Sequence, residues 1–102
     1  MLLDEVKNEL GITGNDENTN KRLSGYIERG QNRLNQIAGN MLDYEAVGEP
    51  KRLLLDYCRY ANSQALEVFE INFANDLLSL HLNNQVEVVQ DADKDTNGVS
   101  DV

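Results

Sequence analysis

Leu3, Val6 and Leu10 recur at three- and four-residue steps near the start of the chain, the spacing that gathers side chains on one face of an α-helix. Asp4 and Glu5 lie near the positive end of that helix, and Gly11 is placed to end it. A short first helix over residues 2–10 is predicted. The following segment, GITGNDENTN, is rich in turn formers, and Asp16 or Asn18 can cap a second helix. From about Glu17 to Ala38 the apolar or small residues Leu23, Tyr26, Ile27, Gly30, Leu34 and Ile37 form one stripe, with Gly39 as the stop. Gly30 lies within that stripe, where a missing side chain lets another helix approach closely at a propensity cost of roughly 1 kcal/mol relative to Ala.

Residues 40–49 read as a connector, and Pro50 fits the first turn of a third helix. No further Gly or Pro occurs before Leu82. One unbroken helix over that stretch would span about 48 Å, more than so small a domain can cover. Leu54, Tyr57, Cys58, Ala61, Ala65, Val68 and Phe69 share an apolar face, and the pattern changes phase around residues 70–72. Phe73, Leu77 and Leu80 fall on a different side, while Asp76 lands where the earlier face would continue. Either the helix kinks near residues 70–73 or its end faces another subunit, which makes Phe73, Leu77, Leu80 and Leu82 candidate contact residues. The fold class expected is therefore all-α: a small bundle of a short first, an amphipathic second and a long third helix, in one domain over residues 1–84. Residues 85–102 are polar and acidic apart from Val86, Val88 and Val89, and a disordered tail is expected there.

Composition sharpens this. The 102 residues carry a formal net charge of -9, unevenly: residues 1–59 hold ten acids and eight bases, whereas residues 60–102 hold eight acids and one base, Lys94. Net acidity opposes high-affinity binding to a phosphate backbone unless a basic patch forms. Arg22, Arg29 and Arg33 are the candidate patch, since steps of seven and four residues bring them to one line on the second helix. The plain reading of that line is a solvated edge, with salt bridges to Glu28 or to acids of the third helix. The functional readings are a ring-subunit contact or a surface facing passing DNA. The single cysteine, Cys58, reads as a core residue. The N-terminal MLLDEVKNEL has acids where a signal peptide needs bases, and no apolar run approaches a membrane span. A protein made and kept in a reducing cytosol is expected.

Chemistry is sparse. His81 is the only histidine, so neither a catalytic triad nor a zinc site can be assembled from recognisable motifs, and GITGNDE lacks the lysine and spacing of a phosphate loop. No catalytic, cofactor-binding or metal residue is assigned, and no enzyme is expected. Asp93, Asp95, Asn97, Gly98 and Asp101 match positions 1, 3, 5, 6 and 9 of a calcium loop, but position 12 would fall beyond Val102. A solubilising acidic segment is the plainer reading.

With the helices placed, the order LLDEVKNELGI, a gap, a second helix closing on IAGN, then KRLLLDYCRY resembles the phage head-tail connector family, the head-completion or adaptor proteins. Leu3, Val6, Lys7, Leu10 and Ile12 match at the start, Asp16 and Glu17 before the second helix, and Gly39 after it. Leu54, Leu55, Tyr57, Arg59 and Tyr60 follow, then Glu67, Phe69, Asn72, Phe73, Leu77 and Leu80. The likeness covers roughly residues 2–84 and rests on a hydrophobic pattern rather than on a catalytic signature. It implies a helical bundle that assembles as a ring, commonly of about twelve copies, beneath the portal protein of a DNA-filled head. Such a ring extends the channel through which DNA passes without sequence-specific contact, and offers a docking surface to the next tail or stopper protein at the head-tail interface of the virion. The alternative is a small cytosolic helical adaptor or regulator that binds an acidic partner or DNA through the second-helix arginines.

Overall fold

A computed structural model describes residues 2–84, and these are all-helical, with no strand. Helix α1 is Leu2–Leu10, α2 Glu17–Ala38, α3 Glu49–Asn62 and α4 Leu66–Asn72; α5 follows over residues 74–84. The tail expectation, and with it the calcium-loop match, lies outside the described residues.

Local chemistry accounts for the ends of the first two helices. Gly11 adopts φ 70°, and the N–H groups of Gly11 and Ile12 donate to the carbonyls of Asn8 and Lys7, closing α1 in the left-handed turn that glycine permits. Asp16 caps α2 by accepting from the Thr19 N–H at 3.0 Å and the Thr19 hydroxyl at 2.9 Å. At the other end Gly39 and Asn40 both donate to the Asn35 carbonyl. The Asn35 side chain then holds the connector, its Oδ1 accepting from the Leu42 N–H at 3.1 Å and the Tyr44 hydroxyl at 2.8 Å. Tyr44 is thereby drawn into the core.

The core is built around α2 and α3, with α1 laid across both. Val6 enters from α1, Leu23, Leu34 and Ala38 from α2, and Leu53, Leu54, Tyr57, Cys58 and Ala61 from α3. Gly30 is buried at the crossing, where a Cβ would stand 2.7 Å from Leu54 Cδ1. An ion pair of 2.7 Å between Lys51 and Glu5 ties α3 to α1.

The expected single helix from Pro50 to Leu82 does not form. It is broken at Ser63–Ala65 and again at Phe73. At the first break Ala65 N–H donates to the Tyr60 carbonyl and Gln64 N–H to that of Ala61, the same left-handed stop seen after α1, but with Gln64 at φ 57° in the glycine position. That conformation costs a residue with a Cβ roughly 1–2 kcal/mol. Turning there lets the chain fold back, so that Phe69, Leu77 and Leu80 are buried in the core, a gain of about 1.5–3 kcal/mol for each side chain. The change of phase read at residues 70–72 falls at the second break, at Phe73, where a kink is one of the two expectations, whereas the turn at Ser63–Ala65 lies within the stretch whose apolar face reads as continuous. An aromatic cluster holds the turn closed: Phe69 meets Tyr57 edge-on at 5.4 Å and Tyr60 at 5.6 Å, and stacks on Phe73 at 4.9 Å. At the second break Phe73 N–H donates to the Phe69 carbonyl, closing α4, and its own carbonyl accepts from Leu77 N–H in the next helix.

Candidate functional site

The three arginines of α2 do not form an open basic face. Arg33 donates from Nε and Nη2 to the two carboxylate oxygens of Glu70 at 2.6 and 2.8 Å, and from Nη1 to Gln36 Oε1 at 3.1 Å. This two-pronged pair clamps α4 against α2 and holds the Glu70 carboxyl below its ordinary value, against a smaller upward push from burial. Arg22 donates to Asn62 Oδ1 at 3.2 Å, at the end of α3. Arg29 is exposed, with its guanidinium 5.4 Å from the centre of the Tyr26 ring. Two of the three guanidinium groups therefore have partners within the chain: Arg33 pairs with an acid C-terminal to it, Glu70, whereas Arg22 meets the Asn62 amide rather than a carboxylate, and among the described residues Glu28 is the partner of neither.

The candidate contact residues of the C-terminal half divide. Leu77 is 7% and Leu80 4% exposed, so they are core residues and present no surface to a partner. Phe73 is half-buried on the aromatic cluster. Only Leu82, 49% exposed, stands outward. The expectation failed because two apolar stripes run along α4 and α5, and the sequence alone does not say which faces in. The inner stripe is Phe69, Phe73, Leu77 and Leu80. The outer one is Ile71, Leu78 and Leu82, with Asn75 among them and Val68 at its edge. At 3.6 residues per turn the two lie on roughly opposite sides.

Ile71, 73% exposed, and Leu78, 54% exposed, are thus surface residues that the sequence reading passed over. Their three-and-four spacing from Val68 through Asn75 to Leu82 was the signal present. Ile71 and Leu78 have the uncharged exposed positions Asn72, Ala74, Asn75, Ser79 and Asn83 as neighbours, with the exposed acid Glu67 one turn before Ile71. The titratable side chains of the same stretch turn elsewhere: Asp76 lies 3.8 Å from Arg52, and His81 Nδ1 is 2.8 Å from the Ile37 carbonyl at the end of α2. Met41 and Val47 are exposed separately, on the connector between α2 and α3.

Cys58 is fully buried, which pushes its thiol up to about 12. Burial likewise raises the Tyr44 hydroxyl to about 12. No group of three or more His, Cys, Asp or Glu side chains suited to a metal ion occurs among the described residues, and none of their helices is long and apolar enough to cross a membrane. Comparison with protein-family models, with curated proteins and with solved structures gave no match.

Proposed function

We propose that the chain is a structural subunit of a phage or prophage head-tail connector: a ring component that docks beneath the portal, extends the DNA channel and receives the next tail component. The observation that carries this reading is the set of exposed apolar side chains Ile71 on α4 and Leu78 and Leu82 on α5, left outside while the opposite sides of both helices fill the core. Apolar side chains aligned along one exposed helical face are the mark of a surface that another macromolecule covers. The resemblance over residues 2–84 supplies the context, an assembly at the head-tail interface of a virion. Arg22 and Arg33 are engaged by Asn62 and Glu70, which favours this reading over an adaptor that binds acidic partners through the α2 arginines. A channel lining need not be basic, because DNA has to slide through it and strong phosphate pairing would hold it back.

The test is incubation of the purified chain with tailless, DNA-filled heads that carry a portal but lack their own connector, followed by negative-stain microscopy of the portal vertex. Closed rings at that vertex, and recovered tail attachment, are expected. Heads that stay bare at saturating protein overturn the proposal.

A further inference from the structure

The turn between α3 and α4 is made against the preference of its own residues. Gln64 holds φ 57°, a left-handed conformation that strains any residue with a Cβ. Ser63, Gln64 and Ala65 can all continue a helix, alanine best of all, and no Gly or Pro stands between Pro50 and Leu82 to forbid it. The apolar face also runs on across the turn: Leu54, Tyr57, Cys58 and Ala61 of α3 are followed at helical steps by Ala65, Val68 and Phe69. With residues 63–65 helical, α3 and α4 become one amphipathic helix from Glu49 to Asn72, about 36 Å long.

What keeps the turn closed lies outside it. Phe69 packs on Tyr57 and Tyr60, Glu70 pairs with Arg33, His81 meets the Ile37 carbonyl, and Leu77 and Leu80 fill the core. None of these contacts requires that α4 and α5 belong to the same chain as the core they fill. Once the turn straightens, the surface that α4 and α5 vacate fits an identical pair of helices, and a second copy of the chain supplies that pair. An exchanged dimer keeps each of these contacts, made twice and between chains, and sheds the strain at both Gln64 residues.

We propose that two copies of the chain exchange α4 and α5 about Gln64 as the hinge, giving a dimer in which α3 runs on into α4. The contact between the copies is the core itself rather than a surface patch, and it does not depend on the phage setting. Relief of two turns is small against the cost of joining two molecules, and two chains of net charge -9 repel one another. The dimer therefore forms at millimolar concentration and is strengthened by salt, which screens the repulsion. Because α4 and α5 must leave the core before they can be exchanged, the native protein converts slowly, and refolding from urea gives the direct route.

The test is to refold the full chain from urea at high salt, at micromolar and at millimolar concentration, and to measure mass by size-exclusion chromatography with light scattering. The expected result is 11.5 kDa from the dilute sample and an added species of twice that mass from the concentrated one. Gln64→Gly relaxes both closed turns and places two glycines within the continuous helices, so it should weaken the dimer on the order of a hundredfold. Gln64→Ala keeps the strain and favours the helix, so it should strengthen the dimer a few-fold. A charge-reversed pair separates exchange from side-by-side association. Arg33→Glu and Glu70→Arg each set like charges together within one chain, whereas exchange between the two variants restores both ion pairs. Their mixture, refolded together, should contain more dimer than either variant alone. A chain that stays monomeric at millimolar concentration overturns the proposal. So does a dimer that Gln64→Gly leaves unchanged, or a mixture with no more dimer than its components. Uptake of the chain by portal-bearing heads is a separate result, and the connector reading stands or falls on that alone.

Discussion

Replacing Gly30 by alanine should destabilise the protein although alanine is the better helix former. A Cβ at Gly30 would lie 2.7 Å from Leu54 Cδ1 and 2.8 and 3.2 Å from two carbons of the Tyr57 ring. Carbon atoms are comfortable at about 3.5–4.0 Å, so α2 and α3 must part by up to roughly 1 Å. Neither neighbour can swing aside cheaply, because Leu54 is fully buried and the Tyr57 ring is wedged against Phe69 at 5.4 Å. Overpacking of this kind costs about 1–3 kcal/mol, against a propensity gain of about 1 kcal/mol, for a net loss on the order of 1 kcal/mol. Gly25, on the same helix, is the internal control: its Cβ would meet only Arg29 Nη1, at 3.6 Å, so Gly25→Ala should keep the whole gain of about 1 kcal/mol. The two variants should therefore differ by about 2 kcal/mol, on the order of 10 °C in midpoint for a domain of this size. Thermal and urea unfolding followed by circular dichroism, with unchanged denaturant slopes as the check on two-state behaviour, measures both. If Gly30→Ala raises the midpoint as much as Gly25→Ala, the close crossing of α2 on α3 is wrong.

Gln64→Gly should raise stability by up to about 1 kcal/mol, by relieving the left-handed conformation at φ 57°, and urea unfolding would show it; a loss instead would mean that the turn between α3 and α4 is not closed as described. Leu77→Asp should unfold the bundle rather than merely block an assembly, since the carboxylate would be buried without a partner; a folded Leu77→Asp chain by circular dichroism would contradict the burial. Glu70→Gln should cost less than 1 kcal/mol at neutral pH, because both partners of its bond to Arg33 are about two-fifths exposed. Glu70 is held below the ordinary 4.5 of a glutamate, so its contribution is complete above that value and disappears as the pH falls through the lower folded value. The gap between wild type and variant in a pH series of unfolding curves should close only in that acidic range. Cys58 should resist thiol reagents at pH 8 in the folded chain and react at once in denaturant.

The sequence by itself determined the all-helical class and the placement of α1 and α2. Those elements are written in local terms: apolar residues at helical spacing, a cap at Asp16 or Asn18 of which the structure uses Asp16, and Gly11 and Gly39 at the stops, each acting over a single turn of chain. The close contact at Gly30 was legible for the same reason, since a glycine inside an apolar stripe has few other uses. What only the tertiary structure decided is the path after Asn62. No glycine announces the turn at Gln64. The chain accepts a strained residue there because burying Phe69, Leu77 and Leu80 returns more free energy than the turn costs, a balance set by residues far apart in sequence. The fate of Arg33 was equally hidden, its partner Glu70 standing 37 positions away. Along α4 and α5 two stripes compete for the core, the inner one wholly apolar and the outer one interrupted by Asn75. The aromatic contacts of Phe69 with Tyr57 and Tyr60 broke the tie, turning Leu77 and Leu80 inward and leaving Ile71, Leu78 and Leu82 as the surface.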